Sequence, residues 1–264
     1  MKKALHICWL AAVLAFIYIP VLLLAVYSFT DASMVGAGMG GFTFKNYVNL
    51  FANEELRNMI LGTVALAFVT ATISTVLATF GAIGAFYSKK LPKTLLNTAN
   101  RIPVVNADIV TGFSICILLI IILRVDKDTF IPLGIGHVVL TAPFVYLSIL
   151  PKLKQMDNSL YEAALDLGAT PAQALFKVVI PQLIPGILSG FMLAVTLSLD
   201  DYFVTTYTKP STFDTISTYV VNATKGSQTE VKTALWALST LIFLIVIAAV
   251  VIMNVLGRRK EKSK

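Results

Sequence analysis

Six long stretches of this chain carry almost no charge, at residues 7–29, 59–87, 102–123, 130–150, 182–207 and 234–256. Each matches the roughly 20 residues that cross a hydrocarbon core about 30 Å thick as a helix, the form in which a lipid-exposed backbone supplies its own hydrogen bonds. The expected fold class is therefore all-α: a polytopic membrane protein with six transmembrane helices, organised as one domain over residues 1–264. Composition agrees. Only 13% of residues are charged, against about 25% in an ordinary soluble domain, and the mean hydropathy is +0.81. Too little charge is present to wet a globule, which excludes an ordinary soluble enzyme. The first stretch follows Lys2 and Lys3 but exceeds the roughly 7–15 residue core of a secretory signal, so it reads as a retained helix.

The basic residues set the orientation. With both termini cytoplasmic, the inner segments hold 14 of the 21 Lys and Arg and only four of the 14 Asp and Glu. That bias satisfies the positive-inside rule and an even number of crossings. The pI of 9.4 is thus mostly topology. No basic stripe on a folded domain points to nucleic acid. Cys8 and Cys116 lie inside apolar runs, and His6 and His137 are the two histidines, both read as core or interfacial packing. No metal-ligand spacing, disulfide framework or catalytic triad is present, so neither a metal site nor a membrane-embedded hydrolase is expected.

The longest inner loop, 151–181, is the informative one. Ser159 and Glu162 have the spacing of a capping box, which starts a helix by satisfying orphan backbone amides reciprocally. Leu160, Ala163, Ala164 and Leu167 then fall on one apolar stripe, and Gly168 suits the left-handed residue that ends a helix. Thr170 and Pro171 open a second helix, with Leu175, Val178 and Val179 on its apolar face and Pro181 helping to close it. The expected product is a helix-turn-helix elbow on the inner membrane surface. An amphipathic connector of no further function is the plainer reading of these residues taken alone.

The string EAALDLGATPAQALFKVVIP resembles the EAA loop of permease subunits in ATP-binding-cassette importers. Glu162, Ala163, Ala164, Gly168, Val178, Ile180 and Pro181 stand at its fixed positions, with valine and isoleucine where isoleucine and leucine are commoner. From Tyr18-Ile19-Pro20 to Ser198-Leu199-Asp200-Asp201 and the following Thr-Lys-Pro, the chain is similar to the C-type permeases of spermidine/putrescine importers. The resemblance implies a type I importer (MetI-like) fold in the cell (inner) membrane. It also implies a second permease subunit, a cytoplasmic ATPase dimer and an extracytoplasmic substrate-binding protein as partners. In that family the elbow couples to the ATPase, which assigns the coupling role to Glu162, Ala163, Ala164, Gly168 and Pro181. The residues suit it: paired alanines admit a close partner and Glu162 can reach a basic side chain. The chain lacks a G-x-x-x-x-G-K-[ST] phosphate loop, so no cofactor is expected here, and ATP belongs to the partner ATPase.

Asp108, Asp200 and Asp201 are the ionisable residues within or at the edge of spans, where a carboxylate is costly unless it faces water or a partner. At 1.5 Å per residue, Asp200 and Asp201 stand roughly 27 Å beyond the inner start of span five, and Asp108 about 9 Å into span three. With Tyr18, Tyr202 and Tyr207 offering ring faces, they form a candidate path for an amine cargo. Plainer roles remain open: Asp108 as the cap of a helix whose start lies after Pro103, Asp200 and Asp201 as the end of span five, the tyrosines as an interfacial belt. Small residues crowd span two (Gly62, Ala65, Ala67, Ala71, Ala78, Gly81, Ala82, Gly84, Ala85), as close packing requires. The outer loop 30–58, with Gly36, Gly38, Gly40 and Gly41, is a candidate surface for the binding protein. Ferric ion, thiamine, sulfate or phosphonate are rival cargoes within the class. An ion-coupled secondary transporter is the rival from another class, favoured by inverted repeats or broken helices, of which the sequence gives no clear sign.

Overall fold

A computed structural model describes residues 2–32, 40–157, 159–225, 233–244 and 247. Helices follow in the order α1 (Lys2–Ser28), α2 (Lys45–Ala52), α3 (Glu54–Tyr87), α4 (Lys90–Ala99), α5 (Ile102–Val105) and α6 (Asp108–Cys116), the last running into a π turn (Ile117–Ile122). After these come α7 (Phe130–Gln155), α8 (Ser159–Asp166), α9 (Pro171–Ala174), a second π turn (Leu175–Val179), α10 (Ile180–Asp200), α11 (Phe203–Thr208), α12 (Ile216–Lys225) and α13 (Thr233–Leu244). Among the described residues the only β pairing is one isolated bridge between Thr30 and Phe42.

The chain divides into two compact units, Met1–Asn58 with Val220–Lys264, and Met59–Tyr219. In the first, α1 turns at Thr30, and the bridge brings back Phe42 and Phe44 to form an aromatic cluster with Phe29 and Tyr47. The buried Asn46 amide donates to the carbonyls of Ser28 and Thr30 at 3.0 and 2.9 Å, satisfying the turn from inside. Tyr27 meets Trp236 edge-on at 5.8 Å.

The second unit holds the larger core. The α3 alanines 67, 71, 78, 82 and 85 are buried with Val145, Tyr146, Ile149 and Leu153 of α7 and Leu183, Ala194 and Val195 of α10. Crowding of small residues on span two thus does pack that helix closely inside its own chain. Another close crossing joins α10 to α7. Gly186 and Gly190, four apart on α10, lie so close to α7 that a Cβ at Gly190 would stand 2.9 Å from Val145 Cγ1 and 3.2 Å from Val145 Cα.

Among the described residues four helices are long and apolar enough to cross a membrane: His6–Ser28, Glu54–Tyr87, Phe130–Gln155 and Pro171–Asp200. These match the first, second, fourth and fifth expected spans. The third departs from expectation: instead of one helix over 102–123, Lys90–Val105 and Asp108–Ile122 are separated by a bend of 108°. The chain therefore does contain a broken helix, contrary to the sequence reading. The fifth span is shifted. It begins at Pro171 and ends at Asp200, where Asp201 turns extended and α11 starts anew. Pro181 accordingly lies inside a continuous helix and does not close one. Pro181 has no N–H to donate and stands in the first turn of α10, directly after the π turn, and the Gln182 side chain donates to the Val178 carbonyl at 3.1 Å. The expected sixth span is seen as Thr233–Leu244, with most of 245–256 outside the described residues.

Candidate functional site

The inner elbow is built from local signals. Helix α8 opens where Asp157 accepts the Ser159 amide at 3.0 Å. That amide and the Ser159 hydroxyl hold the Asp157 carboxyl below the ordinary carboxylate range. Ser159 is thus the first helical residue, and the expected capping box with Glu162 is replaced by an Asp157 cap two residues upstream, because a carboxylate is the stronger acceptor. The other end is as expected. Gly168 adopts φ +85°, the Gly168 amide donates to Leu165 and the Ala169 amide to Ala164, at 2.9 and 3.0 Å. This paired reverse bonding is a Schellman turn, which uses the last carbonyls of the helix and needs a left-handed residue at its corner. Then Thr170 and Gln173 close a reciprocal capping box at the start of α9.

One side of the elbow is anchored. Tyr161 packs on Tyr87 at 5.3 Å, Phe176 on Phe80 at 6.3 Å, and Ala174 and Val179 are fully buried. The stripe seen in the sequence faces the other way: Leu160 and Leu167 are 45% and 89% exposed, and Glu162, Ala163 and Gly168 are exposed beside them, with Ala164 half-buried. Among the described residues Glu162 has no ion-pair partner. A short, doubly capped helix thus presents an uncovered face with a free carboxylate.

At the other ends of the spans the candidate path residues separate. Asp108 is exposed and opens α6 from its first turn, so it is not 9 Å inside a continuous span. The helix does begin after Pro103 and the bend, but Ala107 holds the cap position with no side-chain cap bond, and Asp108 is the first helical residue rather than the cap. Asp200 is the exposed last residue of α10. Asp201 is buried. Its carboxylate accepts the amides of Val204 and Thr205 at 3.2 and 2.7 Å and the Thr205 hydroxyl at 2.7 Å, capping α11. Tyr18 lies exposed on α1 in the first unit. Tyr207 packs on Phe113 at 5.7 Å and Tyr202 on Phe203 at 5.3 Å.

Sequence reasoning missed a buried polar chain beside Asp201. His137, fully buried, pairs through Nδ1 with Ser198 Oγ at 2.7 Å and through Nε2 with Thr205 Oγ1 at 3.0 Å. Thr70 of α3 reaches Ser198 at 3.3 Å, and the Thr141 hydroxyl donates to the His137 carbonyl at 2.7 Å. Ser217 donates to the Asp201 carbonyl. Among the described residues no group of three or more His, Cys, Asp or Glu could hold a metal.

Comparison with known proteins supplies the class. Residues 78–262 match the family described as binding-protein-dependent transport system inner membrane component. The chain is 28% identical to the spermidine/putrescine transport system permease protein PotC of Haemophilus influenzae, over 94% of this chain and 95% of that one. It is also 28% identical to the putrescine transport system permease protein PotI of Escherichia coli, over 86% and 81%. Among solved structures, a chain of a bacterial ABC transporter involved in import of the acidic polysaccharide alginate superposes with a TM-score of 0.67 at 16% identity, covering 95% of each chain. A chain of an amino acid ABC transporter with histidines gives 0.51 at 20% identity, over 78% and 94%. The fold is that of ABC importer permeases.

Proposed function

Since the chain belongs to the family of binding-protein-dependent transport system inner membrane components, we propose that it is one permease of an ATP-driven polyamine importer. In this reading it forms the membrane path with a second permease and couples to an ATPase pair through the α8–α9 elbow. The observation that carries the coupling role is the elbow itself. Its corner is fixed by the Schellman turn and the Thr170 capping box, its inner side is seated on the core, and its Glu162, Ala163 and Leu167 face is bare. A rigid bare ridge transmits displacement, which a loose connector does not.

Cytoplasmic termini place the elbow inside and Asp200 at the outer end of α10. Closure of the ATPase pair then moves the two elbows, tilts the spans and opens the path outward to the binding protein. The chain catalyses no covalent chemistry; hydrolysis takes place on the partner. Polyamine cargo is supported by the full-length similarity to the PotC and PotI proteins and by exposed carboxylates, Asp108 and Asp200, at helix ends. An ammonium cargo loses less on leaving water when carboxylates replace its hydration. The broken helix does not by itself favour ion coupling, since it leaves the capped elbow without a purpose.

The test is ATP-dependent uptake of labelled spermidine into proteoliposomes holding the complete complex. Glu162→Lys is expected to abolish uptake with the complex still assembled, and Asp108→Asn to raise the KM for spermidine. ATP-driven transport surviving in Glu162→Lys refutes the coupling role. Uptake of an anion but not of spermidine by the wild-type complex refutes the cargo.

A further inference from the structure

The protons in the His137 network follow from its distances. Thr205 Oγ1 and Asp201 Oδ2 stand 2.7 Å apart, and two oxygens that close require a proton between them. Oδ2 is already accepting the Thr205 amide, so the hydroxyl supplies that proton. Thr205 Oγ1 is then left to accept from His137 Nε2, which carries its hydrogen, and Nδ1 and the Ser198 hydroxyl share a hydrogen bond.

Each bond joins different helices. Nδ1 ties α7 to α10 through Ser198, and Nε2 ties α7 to the first turn of α11 through Thr205. Between those two anchors lies the break at Asp201 and Tyr202, and its leading residue is Asp200. We propose that His137 is a positioning residue for transport: its two hydrogen bonds fix the corner between α10 and α11 and so aim the exposed Asp200 carboxylate at the outer end of the span. His137 itself is sealed from solvent and touches no cargo. The proposal rests on reading the protein as a polyamine permease.

Two variants separate positioning from simple packing. His137→Leu keeps the bulk and loses both bonds, whereas His137→Gln keeps one donor and one acceptor on a comparable side chain. In the reconstituted complex, His137→Leu is expected to raise the KM for spermidine roughly tenfold, the worth of one buried hydrogen bond left unmade, while kcat stays within about twofold. His137→Gln restores KM to within about threefold of wild type by remaking such bonds. A His137→Gln complex no better than His137→Leu, or a loss confined to kcat, overturns the proposal, as does a His137→Leu complex with wild-type KM. A second measurement is independent of cargo. The chain has two histidines, so 15N-histidine spectra of a complex assembled with this chain alone labelled, compared with His137→Gln, isolate the His137 nitrogens. A protonated, hydrogen-bonded Nε2 is expected; a bare Nε2 overturns the proposal. If the wild-type complex carries no spermidine, the functional reading fails, and these spectra still decide the bonding on which the positioning rests.

Discussion

Replacing Gly168 tests the elbow at the point where its backbone is most constrained. Gly168 stands at φ +85°, and a Cβ there would meet nothing within 4 Å. The cost of a side chain is therefore conformational rather than steric. An L-residue pays about 1–2 kcal/mol to hold the left-handed region. Part of this is offset because alanine has less freedom than glycine to lose on folding, leaving about 1 kcal/mol net. One kcal/mol is roughly a fivefold change in an equilibrium. If the ATPase receives only the elbow with its Schellman turn closed, its affinity for Gly168→Ala falls by up to that factor. Asparagine tolerates the left-handed region, so Gly168→Asn loses less, and the β-branched Gly168→Val loses more. The assay is binding of the purified ATPase subunit to the permease in nanodiscs, read alongside permease-stimulated ATP hydrolysis. The expected affinity order is Gly, Asn, Ala, Val. Equal affinity for Gly and Ala refutes the argument, and so does a valine variant that binds as well as asparagine.

Two further outcomes concern packing and pH. Gly190→Leu drives a side chain into Val145 Cα at the α7–α10 crossing, where backbone cannot withdraw, so it lowers stability by about 1–3 kcal/mol; Gly84→Leu, with open space around its Cβ, leaves the thermal midpoint of the purified protein unchanged. Equal midpoints for the two variants refute the close crossing. Because Asp157 is held low by Ser159, the cap stabilises the elbow above the ordinary carboxylate pKa and is lost as pH falls through the depressed value. Ser159→Ala removes the hydroxyl donor and moves the Asp157 titration up towards the ordinary range, as read by 13C NMR of labelled aspartate; an unmoved titration refutes the cap.

The parts of this protein legible in its sequence are those whose signals are local. Spans one, two and four announce themselves by length and hydropathy, and the elbow by Gly168, Thr170 and Gln173, each acting on its own neighbours. The breaks are not local. Neither glycine nor proline marks residues 106–107, and at 201–202 only an aspartate stands where the helix stops, although its role as a cap for α11 depends on Val204 and Thr205 being free to turn. Ser198, Thr205 and Thr70 are too weakly polar to interrupt an apolar run, so the network on His137 was hidden within spans. One signal was available: His137 is the only titratable side chain deep in the stretch 130–150 apart from Tyr146, and a buried imidazole needs partners on both nitrogens. Core packing was the right burial for it and an incomplete account of its chemistry.

The two breaks meet the membrane's demand on irregular backbone in opposite ways. A span can leave the helix only where its polar groups are enclosed by protein or reached by water. At Asp201 the polar groups are taken up by protein: the Val204 and Thr205 amides end on its carboxylate, its carbonyl takes the Ser217 hydroxyl, and the Thr206 and Lys209 amides resume helical bonding at 2.9 and 2.8 Å. That corner is sealed, which is why Asp201 serves as a structural cap. At 106–108 the Asn106 amide returns to Ile102 and its side chain reaches Thr111 at 3.1 Å, yet Asn106, Ala107 and Asp108 all stand exposed. Exposed polar backbone at a bend is stable only beside water or a partner chain, and a water-filled path between two permeases offers both. On the proposed reading the cargo therefore meets Asp108 and Asp200, with Asp201 and His137 holding the frame behind them. Loss of spermidine affinity in Asp108→Asn with none in a variant of Asp200 would place the whole of the recognition at the open bend and leave the sealed corner a purely mechanical part.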